Sequence, residues 1–365
     1  MTTTEPKIEK RLMRGNDAVG EAAIRAGCRA YFGYPITPQN ELCEYMARNV
    51  HRMDRGVFIQ SESEIAAINM VLGASVSGAR AMTSSSSPGV SLKQEGISFL
   101  AAMELPAVIV NVVRGGPGLG NIAPAQSDYF QATRGGGHGD YRTIVLGAGS
   151  VQELYDLTIE AFDLADEYRT PVLILSDGML GQMMEPVVFG KEPRKDLPVK
   201  DWVLTGCAGR DSRFIRSLLL DVNVEEAHNW KLFRKYHQIE RREVRCETYR
   251  TEDAKIVVVA YGTSARIAHG AVKRAREQGL AVGLIRPITL WPFPKEILRE
   301  TAKHVKHFFV FEMSMGQMVE DVRLALNGAA EVYFYGRPGG VIVTPAELLR
   351  IVARQYHQIE RGAAR

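Results

Sequence analysis

The segment from Val57 to Gly89 constrains the fold more than any other part of this sequence. Residues 57–59 form an apolar run that is too short for a helix and typical of a buried strand. Residues 62–77 carry apolar or small side chains on almost every side, which predicts a helix buried all round. A second strand is expected around residues 81–83, before a serine-rich turn at 84–89. This succession of strand, helix and strand is typical of a parallel sheet.

Glu64, at the start of this helix, has two interpretations that the segment leaves open. Ser61 precedes Glu64 by three residues, which is the spacing of a capping box in which the carboxylate reaches back to the Ser61 amide. Alternatively, Glu64 is a buried carboxylate with raised proton affinity that shares a proton with a nitrogen of a ligand.

The rest of the chain repeats the alternation of strands and helices. In the first half, strands are expected at 30–32, 106–113, 143–146 and 171–175, with helices at 18–26, 41–49, 90–103 and 151–167. The pattern predicts an α/β fold, in which a parallel sheet carries helices on both faces. We expect a first domain at 1–180, a connector at 181–252 with one helix at 213–221 or longer, and a smaller α/β domain at 253–365.

Four loops follow strands of the first predicted sheet. They are residues 34–38, 61–64, 84–89 and 114–120, and they are rich in hydroxyl groups, glycine and proline. Parallel sheets bind ligands beyond the carboxyl ends of their strands, so these loops are expected to form one site. In this setting we expect Ser84 to Ser87 either to cap the next helix or to donate hydroxyl groups to a ligand. Lys93 is expected on a helix surface that faces solvent or another subunit.

Composition narrows the class of protein. The net charge of +3 is too small to indicate nucleic acid or a membrane surface as a partner. No apolar run approaches the roughly 20 residues that span a bilayer, and residues 1–14 lack the apolar core of a signal peptide, so a cytoplasmic location is expected. The four cysteines are scattered without Cys-x-x-Cys spacing, so no iron–sulfur cluster or structural zinc is expected on this chain.

Several of these motifs resemble one enzyme family. They are Gly33-Tyr34-Pro35-Ile36-Thr37-Pro38, Ser63-Glu64 at the head of a helix of small residues, the serine-rich turn ending in Pro88-Gly89, and the loop from Arg114 to Gly120. Together they are similar to the α-chain of 2-oxoacid:ferredoxin oxidoreductases, and most similar to the branched-chain (2-oxoisovalerate) type. The resemblance covers nearly the whole chain. It implies a pyrimidine-binding thiamine diphosphate domain, followed by a domain like the C-terminal one of transketolase.

The resemblance implies a role for four residues. Glu64 matches the carboxylate that binds the aminopyrimidine of thiamine diphosphate and promotes its imino tautomer. Thr37 matches a hydroxyl that meets the substrate, and Pro35 matches a residue that lines the thiazolium side. Arg114 matches the guanidinium that holds the substrate carboxylate. Without the resemblance, a helix cap is the favoured explanation of Thr37, and a surface salt bridge is the favoured explanation of Arg114.

The family also implies partners. Thiamine enzymes hold the diphosphate through Mg²⁺, on a Gly-Asp-Gly motif with a downstream Asn. Here Ser176-Asp177-Gly178 is the nearest approach, and no Asn follows until Asn223, so no metal ligand is expected on this chain. The resemblance assigns the diphosphate, the Mg²⁺ and a cluster to a β-subunit, and further clusters to a ferredoxin-like subunit, with a γ-subunit completing the complex. We further predict that the helix after Glu64 forms an apolar interface and that Arg114 adds little to stability.

The implied reaction joins a 2-oxoacid, coenzyme A and ferredoxin. Two alternatives remain open at this point. One is the same chemistry on 2-oxoglutarate or an aryl 2-oxoacid, and the other is a non-catalytic assembly subunit in which Glu64 is only a cap.

Overall fold

The computed structural model describes residues 9–53 and 55–363. Its strands are β1 (Lys10–Arg14), β2 (Ala30–Gly33), β3 (Val57–Gln60), β4 (Ala81–Ser85), β5 (Ala107–Val113), β6 (Ile144–Leu146), β7 (Pro171–Asp177), β8 (Met184–Val188), β9 (Cys246–Tyr249), β10 (Ile256–Val259), β11 (Val282–Pro287), β12 (Thr289–Trp291), β13 (His307–Glu312) and β14 (Glu331–Gly336). Its helices are α1 (Gly15–Arg25), α2 (Asn40–Asn49), α3 (Glu64–Val76), α4 (Ser87–Ala102), α5 (Tyr129–Thr133), α6 (Val151–Tyr168), α7 (Gly178–Gln182), α8 (Val222–Arg242), α9 (Gly262–Glu277), α10 (Lys295–Ala302), α11 (Met318–Leu326) and α12 (Pro345–Ala363).

A seven-stranded sheet organises the first half of the chain. Its order is β12-β6-β7-β5-β4-β2-β3, and every pairing is parallel except that of β12 with β6. The central strand β5 is buried at all its positions, as its continuous run of β-branched residues predicts. The predicted α/β fold is therefore confirmed, and the carboxyl ends of β2, β3, β4 and β5 meet at one edge.

Helices cover both faces of this sheet. The chain steps outward from β2 to β3 and then back across β2 to β4, so right-handed crossovers put α2 and α3 on opposite faces. The helices pack accordingly, with α1 against α2 and α6, and with α3 against α4. The site residues that follow β3 and β4 are therefore carried by two neighbouring helices on one face.

A five-stranded sheet organises the second half. Its order is β14-β13-β10-β11-β9, with β9 antiparallel and the other pairings parallel. The two halves are joined closely, because β12 adds to the first sheet and buried Gln126 binds the second half. The Gln126 side chain donates to the Tyr261 carbonyl at 2.9 Å and accepts from Ser264 Oγ at 2.6 Å.

The connector contains a helix, but its predicted start at Arg213 is wrong. Residues 213–221 are irregular, and α8 begins at Val222, where the Asp221 side chain accepts from the Asn223 amide at 2.9 Å. The charge-dense stretch read as an extended connector lies on α8, which buries Leu232, Tyr236 and Ile239 along one face. A helix with so narrow an apolar stripe is easily mistaken for a charged connector. Strands β8 and β9 in this region were not predicted.

The predictions of a buried β3 and a fully buried α3 also need correction. Strand β3 is the edge of the first sheet, and its Val57 and Ile59 are 43% and 41% exposed. Helix α3 buries Ala67, Ile68 and Val71 but exposes Ile65 and Gly73 on its other side. The apolar surface that the sequence assigns to the interior therefore remains partly open in the single chain.

None of the helices within the described residues is both long and apolar enough to cross a bilayer. Of the polar N-terminal stretch 1–14, residues 10–14 form β1, which pairs with β8, and residues 1–8 lie outside the described residues.

Candidate active site

The four predicted loops converge at the carboxyl edge of the first sheet. The loop after β2 is tied to the end of β4, because Gln39 donates to the Tyr34 carbonyl at 3.2 Å and accepts from Ser84 Oγ at 2.5 Å. The loop after β5 is tied to the start of α4, where Ser87 Oγ accepts from the Arg114 amide at 3.1 Å. These contacts bring segments that are distant in sequence to a single surface.

The capping-box interpretation of Glu64 is wrong. The N-cap of α3 is Ser63, whose Oγ accepts from the Ala66 amide at 3.2 Å, so Glu64 is the first helical residue. The Ser61 amide, the predicted partner of the carboxylate, donates instead to the Gly33 carbonyl at 2.9 Å. The cap is thus supplied two residues later than the sequence suggests, and the carboxylate is not used in it.

The Glu64 side chain is buried without a hydrogen bond. It is 6% exposed, and no group in residues 9–53 or 55–363 donates a hydrogen bond to its carboxylate. Its Oε1 lies against Gly89, where a β carbon would collide with Glu64 Oε1 and with Ser85 Oγ. Glycine at 89 is therefore what admits the carboxylate to this position. The carboxylate oxygens are not among the fully enclosed atoms of the described residues, so their acceptor capacity is open to a ligand that reaches this edge of the sheet.

The serines around Glu64 do not cap α4 through their side chains. Ser86 is the N-cap, but its hydroxyl makes no capping bond. The hydroxyls of Ser85 and Ser86 are both buried without a partner among the described residues, whereas Ser84 binds Tyr31 and Gln39. The interpretation of these serines as side-chain caps of α4 is wrong. Like the Glu64 carboxylate, the Ser85 and Ser86 hydroxyls have no hydrogen-bond partner among the described residues.

Lys93 is buried, contrary to the expectation that it faces solvent or a partner. It is 0% exposed, and its Nζ donates to Thr83 Oγ1 at 2.9 Å. Burial lowers the pKa of Lys93 to about 8, and the nearby charge of Glu64 opposes that shift. The site therefore holds a buried ammonium in the electrostatic range of the Glu64 carboxylate.

Arg114 makes no salt bridge within the described residues, so the surface-pair interpretation is wrong. Its Nη1 donates to the Thr37 carbonyl at 3.0 Å and its Nη2 to the Leu119 carbonyl at 3.1 Å. Its Nε is buried without a partner among the described residues. The guanidinium ties two loops together, so truncating it should cost more stability than the small apolar burial of the loop suggests.

Thr37 and Pro35 lie on the exposed rim of this surface. Thr37 does not cap the next helix, because α2 begins at Asn40 after Gln39 and has no side-chain cap. The Thr37 backbone is fixed by Arg114, and among the described residues its hydroxyl accepts only a long contact of 3.5 Å from Asn40 Nδ2. The Thr37 hydroxyl is thus accessible to a ligand on this surface.

Sequence reasoning missed a polar network below the loops. Asn111, in the otherwise apolar β5, accepts from the Ser87 amide at 3.1 Å and donates to Asp128 Oδ2 at 2.9 Å. Burial raises the pKa of Asp128, while hydrogen bonds from Ser87 and Asn111 oppose the rise. The one polar residue in an apolar central strand was the available signal for this network.

Asp177 belongs to Ser176-Asp177-Gly178, the segment of the sequence most similar to a magnesium-binding motif, but its side chain has a structural role. Its Oδ1 accepts from the amides of Met179 and Leu180 at 2.9 and 3.2 Å and so caps α7. Across the part of the chain that the structure describes, His, Cys, Asp and Glu side chains form no group of three or more suited to a metal ion. The residues at this edge fit the nitrogen-bearing ring of a cofactor better than they fit a metal-bound diphosphate.

Comparison with protein families gives this geometry a context. A model described as pyruvate flavodoxin/ferredoxin oxidoreductase, thiamine diphosphate-binding, matches residues 21–204. A model described as pyruvate:ferredoxin oxidoreductase core domain II matches residues 254–348. The first match contains the four converging loops, and the second contains most of the five-stranded sheet.

Individual relatives agree with the family models. The ketoisovalerate oxidoreductase subunit VorB of Methanothermobacter thermautotrophicus is 51% identical, over 93% of this chain and 96% of its own. The 2-oxoglutarate synthase subunit KorA of the same organism is 39% identical, over 95% of this chain and 99% of its own.

Solved structures extend the comparison to the fold. The 2-oxoglutarate:ferredoxin oxidoreductase of Magnetococcus marinus superposes with a TM-score of 0.86 at 27% identity, over 97% of this chain and 67% of that one. A split-gene transketolase superposes with a TM-score of 0.57 at 14% identity, over 94% and 97% of the two chains, and shares the fold alone. The resemblance predicted from the motifs is confirmed, and the chain belongs to the 2-oxoacid:ferredoxin oxidoreductase family, with a thiamine diphosphate-binding domain as its first half.

Proposed function

We propose that this chain is the α-subunit of a thiamine diphosphate-dependent enzyme that oxidatively decarboxylates a branched-chain 2-oxoacid to acyl-CoA and passes the electrons to ferredoxin. The observation that carries the proposal is the Glu64 carboxylate, buried at the carboxyl edge of the sheet without a hydrogen bond from a described residue. When bound, thiamine diphosphate supplies the carbon nucleophile for the 2-oxo group and the electron sink for decarboxylation.

In this proposal each site residue has one task. Glu64 holds a proton at the ring nitrogen of the aminopyrimidine, and the Gly89 backbone leaves room for that contact. Pro35 lines the neighbouring rim and Thr37 presents its hydroxyl to the substrate. Arg114 holds the substrate carboxylate through the guanidinium N–H donors that the Thr37 and Leu119 carbonyls leave unused.

The other half of the site belongs to partner subunits in this proposal. Because Asp177 is occupied in capping α7, the Mg²⁺ and the diphosphate are assigned to a β-subunit, together with a cluster. A ferredoxin-like subunit with further clusters and a γ-subunit complete a cytoplasmic complex. The name of the relative that is 51% identical supports a ketoisovalerate substrate.

The experiment that tests the proposal is a substrate panel on the complex co-expressed with its partners. We expect acyl-CoA formation and ferredoxin reduction to be fastest with branched-chain 2-oxoacids. The second candidate is 2-oxoglutarate, which the 39% identity to 2-oxoglutarate synthase subunits favours. A higher kcat/KM on 2-oxoglutarate or on an aryl 2-oxoacid would reassign the substrate, and no turnover on any 2-oxoacid would leave only an assembly role.

The division of the cofactor between subunits gives a further prediction. The purified chain alone should not bind thiamine diphosphate tightly, because the described residues provide no magnesium site. Calorimetry on the single chain, with and without Mg²⁺, measures this directly. A low-micromolar, Mg²⁺-dependent affinity for the chain alone would contradict the shared site.

A further inference from the structure

A cleft along helix α8 lies outside the site already described. Its volume is about 780 Å³, and none of its lining residues belongs to the four loops at the carboxyl edge of the first sheet. One wall is the side of α8 that carries Trp230 and Phe233, away from the buried Leu232 and Ile239. The other wall includes Trp291 of β12.

Aromatic rings line this cleft, and two of them are open to solvent. Trp230 is 53% exposed and Phe233 is 58% exposed, and their ring centroids lie 5.6 Å apart in an edge-to-face pair. The His237 ring stacks on Phe233 at 6.3 Å, and Trp291 contacts Tyr236 at 6.0 Å. A row of exposed aromatic rings is typical of a surface that binds another molecule.

Four carboxylates line the same cleft without a matching cation. They are Asp140, Glu225, Glu226 and Glu240. None of them forms a salt bridge with a lysine or an arginine among the described residues, and the one ion pair is a contact of 3.6 Å between His237 Nδ1 and Glu240. Arg142 is the single arginine in the lining, so the cleft carries an excess of negative charge and favours a cationic ligand.

A buried hydroxyl gives a second sign that the cleft binds a ligand. Tyr236 is the one buried residue that lines the cleft, at 6% exposure. Its hydroxyl is buried and has no hydrogen-bond partner among the described residues. Because buried hydroxyl groups usually have a partner, this one is available to a polar group that enters the cleft.

The extent of the surface fits a protein segment better than a small cation. Glu226 and Glu240 are 14 residues apart on α8, which is about 21 Å at a rise of 1.5 Å per residue. A small cation reaches only part of that length. Exposed apolar side chains continue the surface before and at the start of the helix, at Leu218, Leu220 and Val222.

We propose that this cleft docks a basic segment of a partner subunit, whose arginine or lysine side chains lie against the Trp230 and Phe233 rings and pair with Glu226 and Glu240. Aromatic faces attract such cations, and carboxylates form charge-assisted hydrogen bonds with them. The proposal rests on the proposed function only in that the chain works in a complex, and it depends on neither the cofactor nor the 2-oxoacid.

The first test is hydroxyl-radical footprinting of the full chain, alone and in the complex co-expressed with its partners. Mass spectrometry gives the oxidation rate of each side chain. We expect Trp230 and Phe233 to be oxidised roughly tenfold more slowly in the complex, because the core of an interface excludes water.

The second test is the resistance of the complex to salt, measured by the amount of partner that a tagged chain retains in washes of rising NaCl concentration. Glu226→Lys with Glu240→Lys should lower the retained amount about tenfold or more, since like charges would then face each other. The matched control is Glu296→Lys with Glu300→Lys, which makes the same change of charge on the exposed side of α10 and should retain the partner normally. If the first variant does not fold, Glu226→Gln with Glu240→Gln should still reduce retention.

The proposal is overturned if Trp230 and Phe233 are oxidised equally in the chain and in the complex, or if both charge reversals retain the partner equally. A free chain that is already protected and dimeric in light scattering would assign the cleft to a second copy. Protection of the free chain by added arginine would assign it to a small cation, and either result also overturns the proposal. A complex that protects the cleft but converts no 2-oxoacid would retain the docking surface and refute the proposed function instead.

Discussion

Two buried glutamates, one in each half of the molecule, differ in how the protein satisfies them. Glu312 ends β13 and accepts from Ser314 Oγ at 3.1 Å and from the amides of Met318 and Val319 at 2.9 Å. Glu64 begins α3, is 6% exposed against 0% for Glu312, and accepts a hydrogen bond from no described residue. A carboxylate saturated by its own backbone stabilises a fold, and one left open at a sheet edge is available to a ligand.

The largest expected effects, on kcat and on stability, come from replacing Glu64 or Glu312 with glutamine. Glu64→Gln should lower kcat of the assembled complex by roughly 10²- to 10⁴-fold, because a positioned proton acceptor is lost. Its unfolding temperature should change little, since no hydrogen bond is removed and Lys93 can release its proton. Glu312→Gln should do the reverse and destabilise by about 3 kcal/mol, because its amide group would face backbone donors. Steady-state kinetics measures the change in kcat of both variants, and thermal unfolding measures the change in their stability.

Glu62→Gln is the control for the first variant, since Glu62 is exposed in the same loop and should alter neither quantity. Near-normal turnover in Glu64→Gln together with a marked loss of stability would identify Glu64 as a structural residue like Glu312.

Arg114 is expected both to stabilise the fold and to bind a ligand. Arg114→Ala should lose about 2–4 kcal/mol of transition-state binding, or roughly thirty- to a thousand-fold in kcat/KM for the 2-oxoacid. It should also destabilise by about 1–3 kcal/mol, because the Thr37 and Leu119 carbonyls lose their donor. Arg114→Lys should recover only part of each, since an ammonium lacks the planar fork. Kinetics at varied 2-oxoacid and at varied coenzyme A, with unfolding curves, separate the two effects.

If Arg114→Ala has reduced stability but an unchanged kcat/KM, then Arg114 only holds the two loops together and does not bind the substrate. An equal loss toward coenzyme A and the 2-oxoacid would argue against a specific hold on the substrate carboxylate.

Glu21, like Glu312, is a buried carboxylate whose hydrogen bonds come from the protein itself. Its pKa predicts that the stability of the fold depends on pH. Burial raises the pKa of Glu21, but hydrogen bonds from Arg52, Tyr45 and Arg25 outweigh it and lower the pKa to about 2. Because the folded pKa is depressed, its contribution of about 2–3 kcal/mol is complete above the ordinary value of 4.5 and is lost as the pH falls toward 2. Glu21→Gln should therefore be less stable at neutral pH, and denaturant curves should show the difference narrowing in acid. A difference independent of pH would contradict this.

The smallest effect on stability is expected at Gly73, on the open side of α3. A β carbon here would meet no atom within 4 Å, so Gly73→Ala should stabilise the free chain by about 0.5–1 kcal/mol. The predicted apolar interface is tested at the same position, because Gly73→Arg should leave the free chain folded and prevent its assembly. Ala67 of the same helix is buried, so Ala67→Arg would disrupt the core and could not test the interface. Full co-purification of Gly73→Arg with the partners would show that this face is not an interface.

The sequence predicts the architecture well because strands such as β5 and β10 carry continuous apolar runs that only a buried parallel strand explains. It predicts the position of Glu64 through the loop pattern and the family motif. The sequence does not predict the N-cap of α3 correctly, because Ser61 and Ser63 both suit this position and only the path of the chain selects Ser63. It fails at Lys93 for a related reason, since a lone lysine among small residues gives no sign that two helices enclose it.

The most direct test of the account is a structure of the assembled complex with thiamine diphosphate bound. We expect the ring nitrogen N1′ of the aminopyrimidine within hydrogen-bond distance, about 2.6–3.2 Å, of the Glu64 carboxylate. In that structure the diphosphate and Mg²⁺ should lie on a partner subunit. A cofactor seated away from the carboxyl edge of the first sheet, or a Glu64 side chain turned to a backbone amide of its own chain, would contradict the central claim.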